Sequence, residues 1–345
     1  MLKIGLMGCG TVADYGHLPA IKATPGMELV SLFEPDPVRG KRAREKFGGR
    51  WFDDAEAFFK SGIDVVSVTS PAPCHAENVL MAARHGKHVL CEKPLAMTDD
   101  EGEQMVSAMD RAGLKLYVGF TYRFSPVARQ IKEEVVRGTI GTPRAARLVY
   151  IWDCHGKFNR SGDATGQVNE RRHGRMLEGG PLVDCGVHQI DLARWWMDSE
   201  VTKYDCFGGW VDTEGGYAAP DHTWLHLDHA NGAHTMVENS FSYTHTSKEQ
   251  RWHYVFEVIG TKGVLRHNRD QGQFQIWTPT EMKTLEYAGE KNFEGMYEQF
   301  ARAVRTGEGG LLASGRDGII ATRIAREATE IAMKRRADVT GQPGS

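Results

Sequence analysis

The stretch Gly8-Cys9-Gly10-Thr11-Val12-Ala13 restricts what this chain can fold into more than any other. It is a G-x-G-x-x-A turn. A short apolar run, residues 3–7, leads into it, and a helical stretch through Ile21 leads out. A second strand-like run, residues 28–33, then ends in an acid, Glu34. Strand, glycine turn, helix, strand and terminal acid at this spacing are the parts of a dinucleotide-binding unit. Gly8 permits the tight turn, Gly10 lets the backbone approach a pyrophosphate, and Ala13 keeps the helix close to the sheet. The pyrophosphate would lie on the helix N-terminus, where free N–H groups and the helix dipole favour anions. Glu34 would accept hydrogen bonds from the adenosine ribose. A carboxylate there repels a 2′-phosphate, so NAD is favoured over NADP, and Arg39 nearby softens the preference. The competing reading is a structural glycine turn beside a solvated Glu34.

The rhythm continues. Asp36-Pro37 reads as an N-cap followed by proline at the first helical position. Residues 64–69 are strand-like, 75–84 have helical spacing ending at Gly86, and 87–91 are strand-like again. Thr98 and Glu101 form a capping box for the next helix, and residues 114–120 make another strand. Alternation of this kind implies a parallel sheet with helices on both faces. Ligands of such sheets bind beyond the carboxyl ends of the strands. Lys93, in Cys91-Glu92-Lys93-Pro94, stands at one of those ends. Pro94 stops the strand, and Lys93 is presented to the crevice.

A chain of 345 residues exceeds one ordinary core, so two domains are expected: residues 1–122 and residues 123–345, with the final helix packing on the first domain. A net charge of −3 speaks against a nucleic-acid partner, and no apolar run is long enough to span a bilayer. Six cysteines without a C-x-x-C pair read as reduced thiols of a cytoplasmic protein rather than a disulfide frame or a zinc site.

Residues 178–191 read EGGPLVDCGVHQID. Gly179-Gly180-Pro181 should break the chain just before a helix. Asp184 and His188 then lie at i and i+4 on one face, with Asp191 three residues further on. A carboxylate beside an imidazole suits acid–base chemistry, because it holds the ring's tautomer and raises its basicity. A surface ion pair, a two-ligand metal site and a purely structural Asp191 remain open as alternatives.

These motifs resemble the Gfo/Idh/MocA family of sugar and polyol oxidoreductases. The matching stretches are GCGTVADYGH at 8–17, GKHVLCEKPLA at 86–96, VGFTYRFSP at 118–126, GGPLVDCGVHQID at 179–191 and FEVIGTKGVL at 256–265. The resemblance implies a Rossmann domain followed by a domain with a large open, mostly antiparallel sheet. It also implies homodimers or homotetramers formed through that sheet. It places a catalytic trio on Lys93, Asp184 and His188, the same residues that would meet the substrate. Lys93 would stabilise an alkoxide, His188 take the hydroxyl proton and Asp184 orient it, although lysine and histidine can exchange parts of the proton work. Cofactor contacts carried over are Thr11, Val12, Ser70, Pro71, His75, Glu92, Lys93, Thr121 and Arg123, beside Gly8, Gly10, Glu34 and Arg39. Tyr122 joins the substrate side, Glu92 helps to place Lys93, His17 supports the loop, and Pro94 fixes its turn with a cis bond. Four positions depart from the family pattern. Thr121 stands where asparagine is common, Ala72-Pro73 replaces Asn-His, and Pro181 replaces a third glycine.

In the second half, residues 147–152 alternate like a strand, and Trp152, Asp153 and His155 come next. Residues 157–175 are polar and arginine-rich and read as a long loop over the sugar pocket, with Arg172 and Arg175 as substrate candidates beside Trp152 and Asp153. A solvated basic loop and a core tryptophan are the alternatives. His222 and His226 fall on one strand face and His229 on the other, which argues against a shared metal site. Asn231-Gly232 and residues 260–263 signal hairpins. Residues 293–304 and 318–334 are helical. The expected activity is NAD-dependent oxidation of a secondary alcohol of a sugar, polyol or glycoside. A cofactor-retaining glycosidase or lyase is the alternative, and a non-enzymatic dinucleotide-dependent regulator stands behind it.

Overall fold

The apolar runs of the first third of the chain become parallel strands, each followed by a helix. In the computed structural model, which describes residues 1–152, 170–213, 215–249, 251–287 and 291–340, these are β1 (Leu2–Met7), α1 (Leu18–Ala23), β2 (Met27–Phe33), α2 (Pro37–Phe47), β3 (Arg50–Phe52), α3 (Ala55–Phe59), β4 (Val65–Val68), α4 (His75–Arg84), β5 (His88–Cys91), α5 (Asp99–Arg111) and β6 (Leu116–Val118). The local signals operate as the sequence predicts. The Asp36 carboxylate accepts the backbone N–H groups of Val38 and Arg39, with Pro37 beginning α2. Thr98 and Glu101 close a reciprocal capping box on α5. Gly86, after α4, takes a left-handed φ of +69°.

One difference is informative. The glycine turn does not run straight into an α-helix. Residues Ala13–His17 form a π-helical turn before α1, and wider i→i+5 turns of this kind often mark functional segments.

The chain divides into two units: residues 1–124 with 291–320, and residues 125–290 with 321–345. The second contains α6 (Pro126–Arg137), β7 (Pro143–Ile151), α7 (Glu170–Leu177), α8 (Val187–Met197), β8 (Val201–Gly209), β9 (His222–His229), β10 (His234–Ser240), β11 (His253–Gly260), β12 (Val264–Asn268), β13 (Gln273–Trp277) and β14 (Met282–Glu286). Its eight strands lie in the order β14-β13-β12-β11-β7-β10-β9-β8. All neighbours are antiparallel except β7 and β10. One face carries Leu148, Val258, Leu265 and Phe256, all buried. Trp196 of α8 meets Phe256 edge to face and donates its indole N–H to the Ala128 carbonyl of α6. Hairpins close at Gly232 and over residues 260–263, as predicted.

The histidines of β9 have separate partners: His222 with Glu238, His226 with His234, and His229 with Thr235. Among the described residues no cluster of metal-ligating side chains occurs. Residues 170–175, read from sequence as loop, belong to α7. Arg172 and Met176, four apart, are both buried and give that polar segment one inward face. Asp153, His155 and residues 157–169 lie outside the described residues.

The chain then returns to the first unit. α9 (Phe293–Thr306) packs on α1, and β15 (Ala313–Ser314) pairs antiparallel with β6. The first sheet therefore reads β15-β6-β5-β4-β1-β2-β3. α10 (Gly315–Thr340) comes last, and near its end Arg335 binds the Asp205 carboxylate of β8. No helix among the described residues is long and apolar enough to cross a membrane.

Candidate active site

In the first unit the site begins at the carboxyl end of β1. Gly8 has φ +97°, and a Cβ there would meet the Ser70 backbone at 2.6 Å, so only glycine fits. At Gly10 a Cβ would meet nothing within 4 Å. Its backbone therefore borders open space, as close approach by a pyrophosphate requires. Glu34, just past β2, is buried. Its Oε2 accepts the Cys9 N–H at 2.8 Å and its Oε1 the Asp36 N–H at 3.2 Å, with the Arg39 Nε 3.7 Å away. The acid thus holds the glycine turn itself and still has lone-pair capacity for ribose hydroxyls. Burial and the adjacent Glu34 push the Cys9 thiol up to about 12, which keeps it protonated. Thr11 is exposed and Val12 partly so, and Arg39 is exposed between Glu34 and Asp36. This set of an open glycine backbone, a helical start and an acid at the end of β2 fits a bound dinucleotide.

The second group of residues gathers beyond β4 and β5. Glu92 is buried. Its Oε1 meets His17 Nε2 at 2.8 Å, and its Oε2 accepts the N–H of Lys93 at 3.1 Å. The His17 Nδ1 lies 2.7 Å from the Tyr297 hydroxyl, which lies 2.6 Å from the Ser67 hydroxyl. Burial pushes the Glu92 carboxyl up, but the His17 hydrogen bond and the charges of His17, Lys93 and Lys291 outweigh it and hold it at about 2.

The Lys93–Pro94 peptide bond is cis. His75 is buried, with Nδ1 2.9 Å from the Pro94 carbonyl and Nε2 2.9 Å from the Ser70 carbonyl. Asn78 donates to the Ser70 hydroxyl. Pro71 is exposed, Lys93 is half-buried, and Thr121, Tyr122 and Arg123 are buried. The Lys291 ammonium lies 5.4 Å from the centre of the Tyr122 ring.

In the second unit, Gly179 and Gly180 both take positive φ and break the chain, as the sequence predicts. The next segment is not a plain α-helix. Residues Leu182–Gly186 form a π-helical turn before α8, so Asp184 lies on the widened turn and His188 on the first turn of α8. Asp184, His188 and Asp191 are all buried.

α7 supplies a neighbour that periodicity did not indicate. Arg175 forms an ion pair with Asp184, and its guanidinium stacks 5.8 Å from the centre of the Trp152 ring. Cys185 donates its thiol to the Asp184 Oδ2 at 3.3 Å. The structure thus brings together Trp152, Arg175 and Asp184. Arg172 goes elsewhere. Its guanidinium donates to the Phe241 carbonyl, Asp212 and Ser242, with Asp221 at 3.5 Å, and pins α7 to the sheet. Tyr297, Ser67 and Lys291 were missed from sequence. Each lies in a run that reads as ordinary helix, strand or loop, and no local signal ties it to residue 92.

Residues 2–120 match the family description "Oxidoreductase family, NAD-binding Rossmann fold", and residues 128–266 match "GFO/IDH/MocA C-terminal domain". The chain is 30% identical over 280 residues to D-apiose dehydrogenase of Paraburkholderia graminis, covering 78% of this chain and 70% of that one. It is 27% identical over 277 residues to scyllo-inositol 2-dehydrogenase (NAD(+)) of Bacillus subtilis, covering 77% and 75%. Among solved structures, aldose-aldose oxidoreductase from Caulobacter crescentus shares the fold with a TM-score of 0.80 at 22% identity, covering 97% of this chain and 98% of that one. The glycine turn with its buried acid, the E-K-P turn beyond β5 and both domain matches lead to one assignment: the chain belongs to the Gfo/Idh/MocA family of NAD-dependent oxidoreductases.

Proposed function

We propose that this protein oxidises a secondary alcohol of a sugar, polyol or glycoside, with Lys93, Asp184 and His188 as its catalytic residues. The observation that carries the reading is the E-K-P turn, which holds Lys93 at a carboxyl strand end of an NAD-binding sheet. Relatives named for D-apiose and scyllo-inositol support the substrate class.

Gly8, Gly10, Thr11 and Val12 would hold the pyrophosphate and Glu34 the adenosine ribose, with Ser70, Pro71, Thr121 and Arg123 nearer the nicotinamide. When bound, the nicotinamide supplies the acceptor for the hydride leaving the carbinol carbon. His188 takes the hydroxyl proton. Asp184, four residues before it, offsets the charge of the imidazolium. The Lys93 ammonium stabilises the oxygen as it becomes negative. Arg175, paired with Asp184 and stacked on Trp152, borders the substrate side. The free thiols of Cys9, Cys74, Cys91, Cys185 and Cys206 support a reducing, cytoplasmic setting.

The test is near-ultraviolet absorbance of purified protein with NAD and a panel of sugars, inositols and glycosides, run beside Lys93→Ala. NADH should accumulate with one substrate class and fall about a hundredfold or more in the variant. Glycoside consumption without NADH accumulation would overturn this reading.

A further inference from the structure

We infer that His17 and His75 are positioning residues that clamp the two chain neighbours of Lys93. The inference rests on Lys93 acting in the reaction proposed above. A lysine side chain is long and flexible, so its backbone anchor decides where the ammonium can reach. Glu92 precedes Lys93 and Pro94 succeeds it, and a buried histidine grips each.

On one side, the Glu92 carboxylate only accepts, so His17 Nε2 carries the hydrogen it donates over 2.8 Å. Glu92's other oxygen receives the Lys93 N–H itself. The Nδ1 of the same ring meets the Tyr297 hydroxyl of α9, which meets Ser67 of β4. A continuous buried chain therefore runs from β4 through α9 to the Lys93 backbone. On the other side, His75 lies between the Pro94 and Ser70 carbonyls, 2.9 Å from each. Both are acceptors, so the neutral ring donates to one and only the imidazolium donates to both. Burial opposes the imidazolium and lowers the His75 pKa. The start of α4, where His75 sits, opposes it too. Both ring nitrogens of His17 thus have protein partners, and the clamp assigns to neutral His75 the tautomer whose Nδ1–H donates to the Pro94 carbonyl. The groups facing Glu92 are His17, Lys93, Lys291, Tyr297, His75 and Cys91.

The experiment compares His17→Phe, His17→Gln, His75→Phe and His75→Gln in the full-length protein, with NAD affinity read by fluorescence titration. The phenylalanine variants should lose kcat by about tenfold to a hundredfold, the scale of a misplaced catalytic group, while in His17→Phe the Kd for NAD stays within about threefold. The glutamine variants keep a donor and should recover part of the loss.

A second readout separates positioning from packing: the pH dependence of Lys93 acetylation by acetic anhydride, followed by mass spectrometry. In both His17 variants the labelling midpoint should move down. Without its imidazole partner the Glu92 carboxylate is no longer held in place beside Lys93 and offers it less negative charge. If the phenylalanine variants do not fold, the glutamine variants and the labelling carry the comparison. Folded variants with unchanged kcat and an unmoved labelling profile would overturn the clamp. If Lys93→Ala keeps full kcat, the proposed reaction fails instead, and a moved labelling midpoint still supports the clamp.

Discussion

Glu92 is a buried carboxylate kept ionised by its neighbours, and that makes it a pH-dependent element of stability. Its pKa falls from 4.5 to about 2 on folding. A lowered folded-state pKa contributes stability that is fully present above the unfolded value. That stability is lost as pH falls from about 4.5 towards 2. The contribution is at most about 3 kcal/mol at neutral pH. Urea unfolding of wild type and Glu92→Gln should therefore show a gap at neutral pH that narrows as the solution is acidified through that window. A gap independent of pH would sink the assignment. Glu34 has two duties at this scale, the Cys9 N–H and the expected ribose hydroxyls. Glu34→Gln should weaken NAD binding about tenfold and improve NADP relative to NAD, because the repulsion of a 2′-phosphate is gone. Equal loss for both cofactors would show that the turn alone was damaged.

The elements differ in how much of their structure is local. α2 and α5 are determined by caps within four residues of their starts. Thr98→Ala should cost about 1 kcal/mol, read by chemical denaturation, because the Glu101 N–H loses its acceptor. α7 is the opposite case. Its residues are polar, and it is held by Arg172 reaching four groups 40 to 70 positions away in sequence. Arg172→Leu leaves the buried Asp221 carboxylate without its counter-charge and should cost about 3–5 kcal/mol. A loss below about 1 kcal/mol would mean that α7 does not depend on this pin. Anchored by Arg172, α7 carries Arg175 to Asp184, so a structural residue and a proposed substrate-side residue sit one turn apart.

Across the whole molecule, two sheets are built by different rules, one parallel with crossover helices and one mostly antiparallel. The outer face of the second carries an ion-paired ladder, Arg147–Glu257–Arg266, beside the exposed Ile259, Trp277 and Met282. Such a mixed apolar and charged face suits self-association, and we expect a homo-oligomer formed through it. Light scattering should give a mass of two or more chains, reduced by Trp277→Glu; a monomeric wild type would refute this. Legible in the amino-acid order alone were the strand–helix alternation, the caps, the hairpins, the glycine turn and the E-K-P and D-x-x-x-H motifs. Each depends on φ preferences, hydrophobic periodicity or hydrogen bonds within a few residues. Only the folded chain reveals that Tyr297 braces His17 from 280 positions away, that Arg175 pairs with Asp184, and that both glycine turns open into π-helical rather than α-helical turns. Those outcomes depend on which distant side chains packing brings within about 3 Å of each other, and no local pattern of residues encodes that distance.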